Sequence, residues 1–433
     1  MAIVRRFGSA IKRAAVAVVW SVAASACLAA TTAPATSVAW PQFHGPQRDN
    51  VSGEKGLLKQ WPADGPKLLW KSAECGGGYS SVSIADGRIF TSGDFGADQY
   101  VLALSADGAI AWKTPNGASW KGAYPGARAT PTWAAGAVYH VGPHGRLAAF
   151  DAGTGRELWF VDLKKTFESR AITWALAENL LVDGDVLYCA PGGAKGRIVA
   201  LDKATGNTLW ANTEIAESAA YCSPILFTHG GVRQLVTVMQ KSVVSVEART
   251  GKLLWRHAHA ALAGQNVTMP VWRDGCVLVS SGHATGSRLL KLDADGRSIK
   301  QVWAGEDLDN CHGGIVLLGD HVYGSGCRLH KRGLVCVEFA TGKTLWNEAA
   351  ISKLSLTWAD GMLYALDADG KMMLMEVDPR GCRIVSQFRI PESKKYSVFA
   401  HPVVCDGRLY VRSGTRLFAF DVRDPGHLPL RRS

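Results

Sequence analysis

Apolar and polar positions alternate through residues 149–159, AFDAGTGRELW, and the pattern returns three more times along the chain. It reads ALDKATGNTLW at 200–210, SVEARTGKLLW at 245–255 and CVEFATGKTLW at 336–346. A period of two on either side of a polar turn predicts strand, turn, strand. Asp151 is placed to accept hydrogen bonds from backbone amides two residues on and so close the turn. Gly155 supplies the residue that tolerates positive φ. Trp159 is large enough to span the gap to a neighbouring sheet. A lone hairpin is marginal in water, so the Trp needs a partner surface, and the other repeats provide it.

Each repeat places an inner strand, a tight turn and a second strand ahead of this hairpin. The turns fall at Asp86-Gly87, Ala135-Gly136, Asp183-Gly184, Gly230-Gly231, Asp274-Gly275, Gly319-Asp320, Asp360-Gly361 and Asp406-Gly407, at intervals of 41 to 49 residues. Trp112, Trp159, Trp210, Trp255, Trp303 and Trp346 mark the outer strands, and Phe388 stands in for Trp in the seventh repeat. The eighth repeat stops after residues 416–422 without a fourth strand, while Lys67–Ser72, carrying Trp70, precedes the first complete repeat. A strand to spare at one end and one missing at the other predicts ring closure, which leaves no sheet edge open at the seam. Four strands in about 45 residues are one propeller blade. The expected fold is all-β, an eight-bladed β-propeller of four-stranded antiparallel blades closed by the N-terminal strand. The competing seven-blade count needs the fifth or seventh repeat to be something else. A linear solenoid needs capping repeats and does not explain the displaced strand.

Composition refines the boundaries. Arg5, Arg6, Lys12 and Arg13 precede an apolar stretch at 14–28 and then small residues to Ala35, which reads as a signal peptide over 1–35. An irregular, Pro- and Gly-rich arm follows at 36–66, then the propeller at 67–424 and a tail at 425–433. Export to the periplasm or cell envelope is the expected localisation. No transmembrane span remains once the leader is removed, and Cys27 is the one candidate for a lipid anchor. The formal charge of +11 falls to +7 without the leader. There is no dense Lys/Arg run and no stacking platform, so nucleic acid is not the expected partner. The ten cysteines include no Cys-x-x-Cys pair, which argues against a metal cluster. Cys189 and Cys336 read as small buried strand residues, and disulfide pairing is not legible.

The A-x-D-x-x-T-G-x-x-x-W pattern, sharpest at 200–210, resembles the PQQ-like repeats of quinoprotein-type propellers. The resemblance covers nearly all of the expected mature chain. Two groups share such repeats: the PQQ-dependent alcohol dehydrogenases, and the propeller lipoprotein of the outer-membrane β-barrel assembly machinery. WPQFHGP in the arm, with RATPTW at 128–133 and FAHPVV at 399–404, is most similar to exported bacterial PQQ-like repeat proteins named by fold. For a dehydrogenase, the resemblance implies PQQ on the propeller axis, a Ca²⁺ held by oxygen ligands, and an Asp base. The chain departs from that pattern: it has no Cys-Cys pair and few insertions to roof a cofactor.

Reading back from each tight turn to the start of its inner strand gives the residues expected to ring one mouth of the axial channel. They are Tyr79 and Ser80, Arg128 and Thr130, Glu178 and Asn179, Tyr221 and Ser223, Asn266 and Thr268, Asn310 and His312, Lys353 and Ser355, and His401. Arg128, Thr130, Glu178, Asn179, Asn266, His312, Lys353 and His401 are the cofactor-binding candidates. Glu178 with Asn179 is the oxygen pair best suited to Ca²⁺, and Arg128 the best anion contact. The plainer reading makes each a hydrogen-bonded group plugging a narrow channel with water. His44 and Arg48 in the arm read as loop anchors. His257 and His259 alternate along one strand but lack a third metal ligand. The function expected is a non-enzymatic binding or assembly scaffold of the cell envelope, holding a protein partner or small ligand on a propeller face. The alternative is a PQQ- and calcium-dependent dehydrogenase of alcohols or sugars.

Overall fold

A computed structural model describes residues 39–326, 333–351, 353–391 and 398–427. The leader, Cys27 and the end of the tail lie outside the described residues. Eight antiparallel four-stranded sheets follow one another along the chain. Blades 1 to 7 occupy residues 83–118, 132–162, 181–212, 225–258, 271–305, 310–348 and 354–389. Blade 8 takes three strands from residues 403–421 and its outermost from Lys67–Ser72. That strand runs antiparallel to Arg416–Asp421, with Lys67 opposite Asp421 and Ser72 opposite Leu417. The fold is therefore the expected eight-bladed β-propeller, closed as expected.

The turns show why these sequences fold back so tightly. Asp86 and Gly87 have φ of 50° and 70°, Ala135 and Gly136 48° and 82°, Asp406 and Gly407 54° and 64°. Two successive positive φ values make a two-residue turn whose twist matches the flanking strands. In blade 3 the turn lies one residue later than expected, because Asp183 still belongs to the strand Leu181–Asp183. The hairpin turn also differs in detail: the Asp151 carboxylate accepts from the amide and hydroxyl of Thr154, three residues on.

The repeated Gly and Trp act as a socket and a knob between consecutive blades. The pairing register slips next to the outer-strand aromatic, between Glu157 and Trp159 for example and between Leu68 and Trp70. Such a bulge re-aims a side chain, here toward the following blade. Trp112 Nε1 donates to Ala152 O at 3.0 Å, Trp159 to Lys203 O at 3.0 Å and Trp303 to Phe339 O at 2.9 Å. Each ring lies where the next hairpin has glycine. A Cβ on Gly155 would stand 2.5 Å from the Trp112 ring, and one on Gly206 2.7 Å from that of Trp159. The seam between blades 8 and 1 obeys the same rule, with Trp70 over Gly108 and bonded to Ala106 O at 2.8 Å.

The apolar core is correspondingly divided into eight clusters, each shared by neighbouring blades. Cys189 and Cys336 are buried strand thiols as expected. The arm threads one end of the ring. Trp40 bridges to Ile84 in blade 1, and Pro41 O accepts from Trp133 N in blade 2. Arg48 donates to the carbonyls of Asn179 and Leu180 at the entry to blade 3. Val51–Ser52 adds a parallel fifth strand to blade 7, and Leu57 bridges to Arg423 after blade 8. Leu57 and Trp61 then fill the layer between blades 7 and 8.

Candidate functional site

The inner-strand starts surround a cavity of about 590 Å³ on the propeller axis. Of the sequence-expected ring, Tyr79, Arg128, Asn179, Tyr221, Ser223, Thr268, His312, Lys353 and His401 line it. The others, Ser80, Thr130, Glu178, Asn266, Asn310 and Ser355, spend their polar atoms on the surrounding protein; for Ser80 beside Tyr79 and Glu178 beside Asn179 this follows the alternation of side chains along an extended chain. Asn266 Nδ2 donates to Met239 O at 2.7 Å, and Asn310 bonds Ser325 O and Thr268. Thr130 Oγ1 accepts from Ser81 N, Thr130 N donates to Asn179 Oδ1 at 2.6 Å, and Asn179 N donates to Ser223 Oγ at 2.9 Å. These bonds form a polar belt joining blades 1 to 4.

Glu178 and Asn179 do not come together as a ligand pair. The Glu178 carboxylate points away from Asn179's amide, accepting from Ala190 N at 2.8 Å and from the Cys189 thiol. Burial pushes its pKa up to about 7, partly offset by Ala190 N, Cys189 and the Arg48 charge. Asn179 Oδ1 is already committed to Thr130 N. His257 and His259 likewise hold no common ligand: the His259 ring bonds Ser281 Oγ at 2.9 Å and Arg288 at 2.8 Å. Arg128 spends its guanidinium on the carbonyls of Ala123, Tyr124 and Gly126.

Part of the site was not read from the sequence. The floor comes from the arm: Phe43 stacks on His44 at 3.9 Å between ring centroids, and His44 lies 4.6 Å from His401. Arg48 anchors backbone as expected, but His44 reaches the axis. The close approach depends on Gly314, where a Cβ would meet His401 Cε1 at 2.9 Å and His44 Cε1 at 3.2 Å. In blade 6 the pairing jumps from Asn310 opposite Gly326 to Ile315 opposite Gly324. The residues between bow out and carry Cys311 and His312 to the cavity wall. The Gly313-Gly314 pair after His312 was the available signal for this bulge. Phe399 and Trp174 complete an aromatic wall, and Phe399 meets His312 edge-on at 4.6 Å.

Three of the lining imidazoles, His44, His312 and His401, are held neutral. Burial lowers His401 to about 4 and His312 to about 3, with Lys353 adding to the effect at His312. His44 is driven well below its ordinary value by burial, then by His401 and Arg48. His401 Nε2 lies 2.9 Å from His312 O, so it carries the proton. Among the described residues no Asp or Glu lines the cavity. Ca²⁺ takes six to eight oxygen ligands, usually including carboxylates. The described residues hold no group of three His, Cys, Asp or Glu arranged for a metal. The donor set here therefore does not fit a calcium-assisted quinone with a carboxylate base.

A family model described as outer membrane protein assembly factor BamB matches residues 97–348, more than half of the chain. Among curated proteins, quinohemoprotein alcohol dehydrogenase ADH IIB of Pseudomonas putida is 29% identical over 142 residues, which cover 30% of this chain and 20% of that protein. Outer membrane protein assembly factor BamB of Moranella endobia (strain PCIT) is 27% identical over 255 residues, covering 58% of this chain and 61% of that one. The chain thus spans less than two thirds of either relative. Among solved structures, BamB from Moraxella catarrhalis superposes with a TM-score of 0.59 at 16% identity, over 82% of this chain and 99% of that one. The quinohemoprotein alcohol dehydrogenase from Comamonas testosteroni gives 0.66 at 15% identity, over 90% and 81%. At these identities the structural likeness shows the fold alone.

Proposed function

The chain belongs to the PQQ_2 family, described as outer membrane protein assembly factor BamB, and on that footing we propose that it is a non-enzymatic binding or assembly scaffold of the cell envelope. The observation that carries this reading is the chemistry of the axial cavity. Among the described residues its wall has no carboxylate, and of the two residues best suited to bind calcium Glu178 turns toward Ala190 N while Asn179 Oδ1 accepts from Thr130 N. Shape supports it too. Leu158, Phe160 and Leu209 stand 41%, 55% and 54% exposed on the outer strands of blades 2 and 3, where apolar side chains beside a sheet edge suit a protein partner. The leader read at 1–35 supports export, with the envelope as the place of action.

The dehydrogenase reading draws on the cavity's axial position and on the alcohol dehydrogenase match over 142 residues. Among the described residues it has no carboxylate at the cavity wall to hold calcium. Two measurements decide between them. Cross-linking in intact cells should join the protein to a component of outer-membrane protein assembly, through residues on blades 2 and 3. Dye reduction by purified protein supplied with PQQ, Ca²⁺ and a panel of alcohols and sugars should be absent. Turnover in that assay would overturn the scaffold reading.

A further inference from the structure

The blade 6 bulge does more than shape the cavity wall: it presents a thiol there. Cys311 is half-buried, and its Sγ lies 3.8 Å from Nε2 of His283, which lines the same wall. We propose that Cys311, with His283 as its base, is an S-thiolation site at which the protein forms a mixed disulfide with a small polar disulfide. The inference stands apart from the scaffold reading and does not rest on it. Both partners are held by unusual backbone. Asn310 Nδ2 donates to Gly314 O at 3.1 Å and to Ser325 O at 2.9 Å, closing the bow that carries Cys311. His283 and Ala284 sit at φ 61° and 64° in the turn between the second and third strands of blade 5, conformations that a tight hairpin normally gives to Asn and Gly. Side chains cost energy there, and this turn carries the imidazole to the thiol. Gly282 lets it come close, since a Cβ at that position would stand 3.0 Å from both Cα and Cβ of Cys311.

The thiolate is the nucleophile in disulfide exchange, and an adjacent base generates it. In the proposed step Cys311 Sγ gives its proton to His283 Nε2 and attacks one sulfur of a disulfide R–S–S–R. The S–S bond of the small molecule breaks, the Cys311–S–S–R bond forms, and the second half leaves as a thiolate that takes the proton from His283. Cys311 is oxidised as the small disulfide is reduced, so no further oxidant enters. His312, next along the bulge, also lines the cavity, and its Nε2 is buried with no partner among the described residues. An orphan nitrogen at a cavity wall calls for an incoming polar group, which a disulfide bearing hydroxyl or amide arms supplies. The chain also carries its own controls. Cys276 and Cys382 are half-buried like Cys311, but burial raises the thiol pKa of both, and their charged neighbours are Lys291, Arg273 and Asp274 for the first and Glu348 for the second.

The test uses the purified full chain, reduced and then freed of reductant, with 2-hydroxyethyl disulfide as the probe. Timed quenching and peptide mapping by mass spectrometry give the rate of adduct formation at each cysteine. Cys311 should be modified about tenfold or more faster than Cys276 and Cys382, a comparison made within one folded protein. His283→Asn keeps a residue that tolerates the left-handed turn and removes the base. In that variant the rate at Cys311 should fall about tenfold and climb about tenfold per pH unit between roughly pH 6 and 8, as for an unassisted thiol, whereas the wild-type rate should climb less steeply. A rate at Cys311 no faster than at the two control cysteines overturns the proposal. So does a His283→Asn variant with the wild-type rate and pH dependence, and so does a disulfide from Cys311 to another cysteine of the chain in place of the adduct. A negative cross-linking result would sink the scaffold reading without touching these rates.

Discussion

The seam between blades 1 and 2 and the seam between blades 7 and 8 solve one packing problem with different parts. At the first, everything comes from the repeat: Trp112, 8% exposed, drops over Gly155 and bonds Ala152 O. At the second, the repeat supplies only Phe388, which has no N–H to donate. The arm makes up the difference. Trp61 packs edge-on to Phe388 at 5.4 Å, Leu57 joins the same cluster, and Gly65 receives the Phe388 ring as the hairpin glycines receive their Trp. Gly65 also lies five residues before Trp70, close to the spacing of Gly155 and Trp159. The arm and the closing strand are thus the missing half of the eighth hairpin, carried at the other end of the chain. Where the repeat is broken by the ring's own opening, a non-repeat segment restores the contact.

The largest effect is expected from removing the closing strand. Deletion of Lys67–Ser72 leaves Arg416–Asp421 as an open edge and removes Trp70 from the layer against blade 1. Unpaired edges recruit other chains, so size-exclusion chromatography should show oligomers in place of a monomer. A monomer with unchanged melting would mean that the seam is held by something other than this pairing.

Next come the two seams themselves. Trp112→Ala should cost about 3–5 kcal/mol in urea denaturation, since it empties a buried aromatic site and strands the Ala152 carbonyl. Trp61→Ala should cost slightly less, about 2–4 kcal/mol, because Trp61 Nε1 has no partner to lose. Equal costs would show that the inter-blade hydrogen bond contributes nothing. A negligible cost at Trp61 would show that the arm is decoration on a seam already complete.

The arm also meets blade 3 electrostatically, through Arg48, and pH sharpens that contact. Glu178 has its folded pKa raised to about 7, above its value in an unfolded chain. Between roughly pH 4.5 and 7 the folded state therefore holds more protons than the unfolded one, and Glu178 costs stability as pH rises through that window. Glu178→Gln should remove the penalty. Relative to wild type, the variant should gain on the order of 2–3 kcal/mol on going from pH 5 to pH 8. Taking the difference between the two proteins cancels the opposing contribution of the buried histidines. A difference that does not change with pH would show that the carboxyl is not buried as described.

How much of this was legible beforehand divides along the same line. The blades and their closure could be read because the contacts that define them recur: an outer-strand Trp returns seven times, with Phe388 in the remaining place, so one odd repeat does not hide the pattern. The cavity could be read only in outline. Inner-strand starts were located, but which of two neighbouring polar residues faces the axis depends on local register. That is why Asn179 lines the cavity while Glu178 turns toward Ala190. The bulge at Cys311 and His312 breaks the register altogether. His44 and Phe43 were beyond reach for another reason. They arrive from a segment without periodicity, and only the path of the arm through the ring brings them to His401.

The smallest effect is expected where the repeat keeps its Trp but changes the bond. Trp255 Nε1 does not reach the next blade directly. It donates to Gln234 Oε1 at 2.9 Å, and Gln234 Nε2 passes the contact on to Gly296 O at 2.8 Å. Ser245 Oγ shares the same Gln oxygen, so that acceptor is not left empty when the indole N–H is removed. Trp255→Phe should therefore cost only about 1 kcal/mol, less than the matching Trp112→Phe, which leaves the Ala152 carbonyl without its indole donor. Gln234→Ala should cost more than Trp255→Phe, because it strands the Trp255 N–H, the Ser245 hydroxyl and the Gly296 carbonyl together. Once Gln234 is gone, Trp255→Phe should cost nearly nothing, since the phenyl ring then removes a donor that already lacks a partner. Additive costs in that double-mutant cycle would mean that Gln234 and Trp255 stabilise the seam between blades 4 and 5 independently, and that the glutamine is no relay.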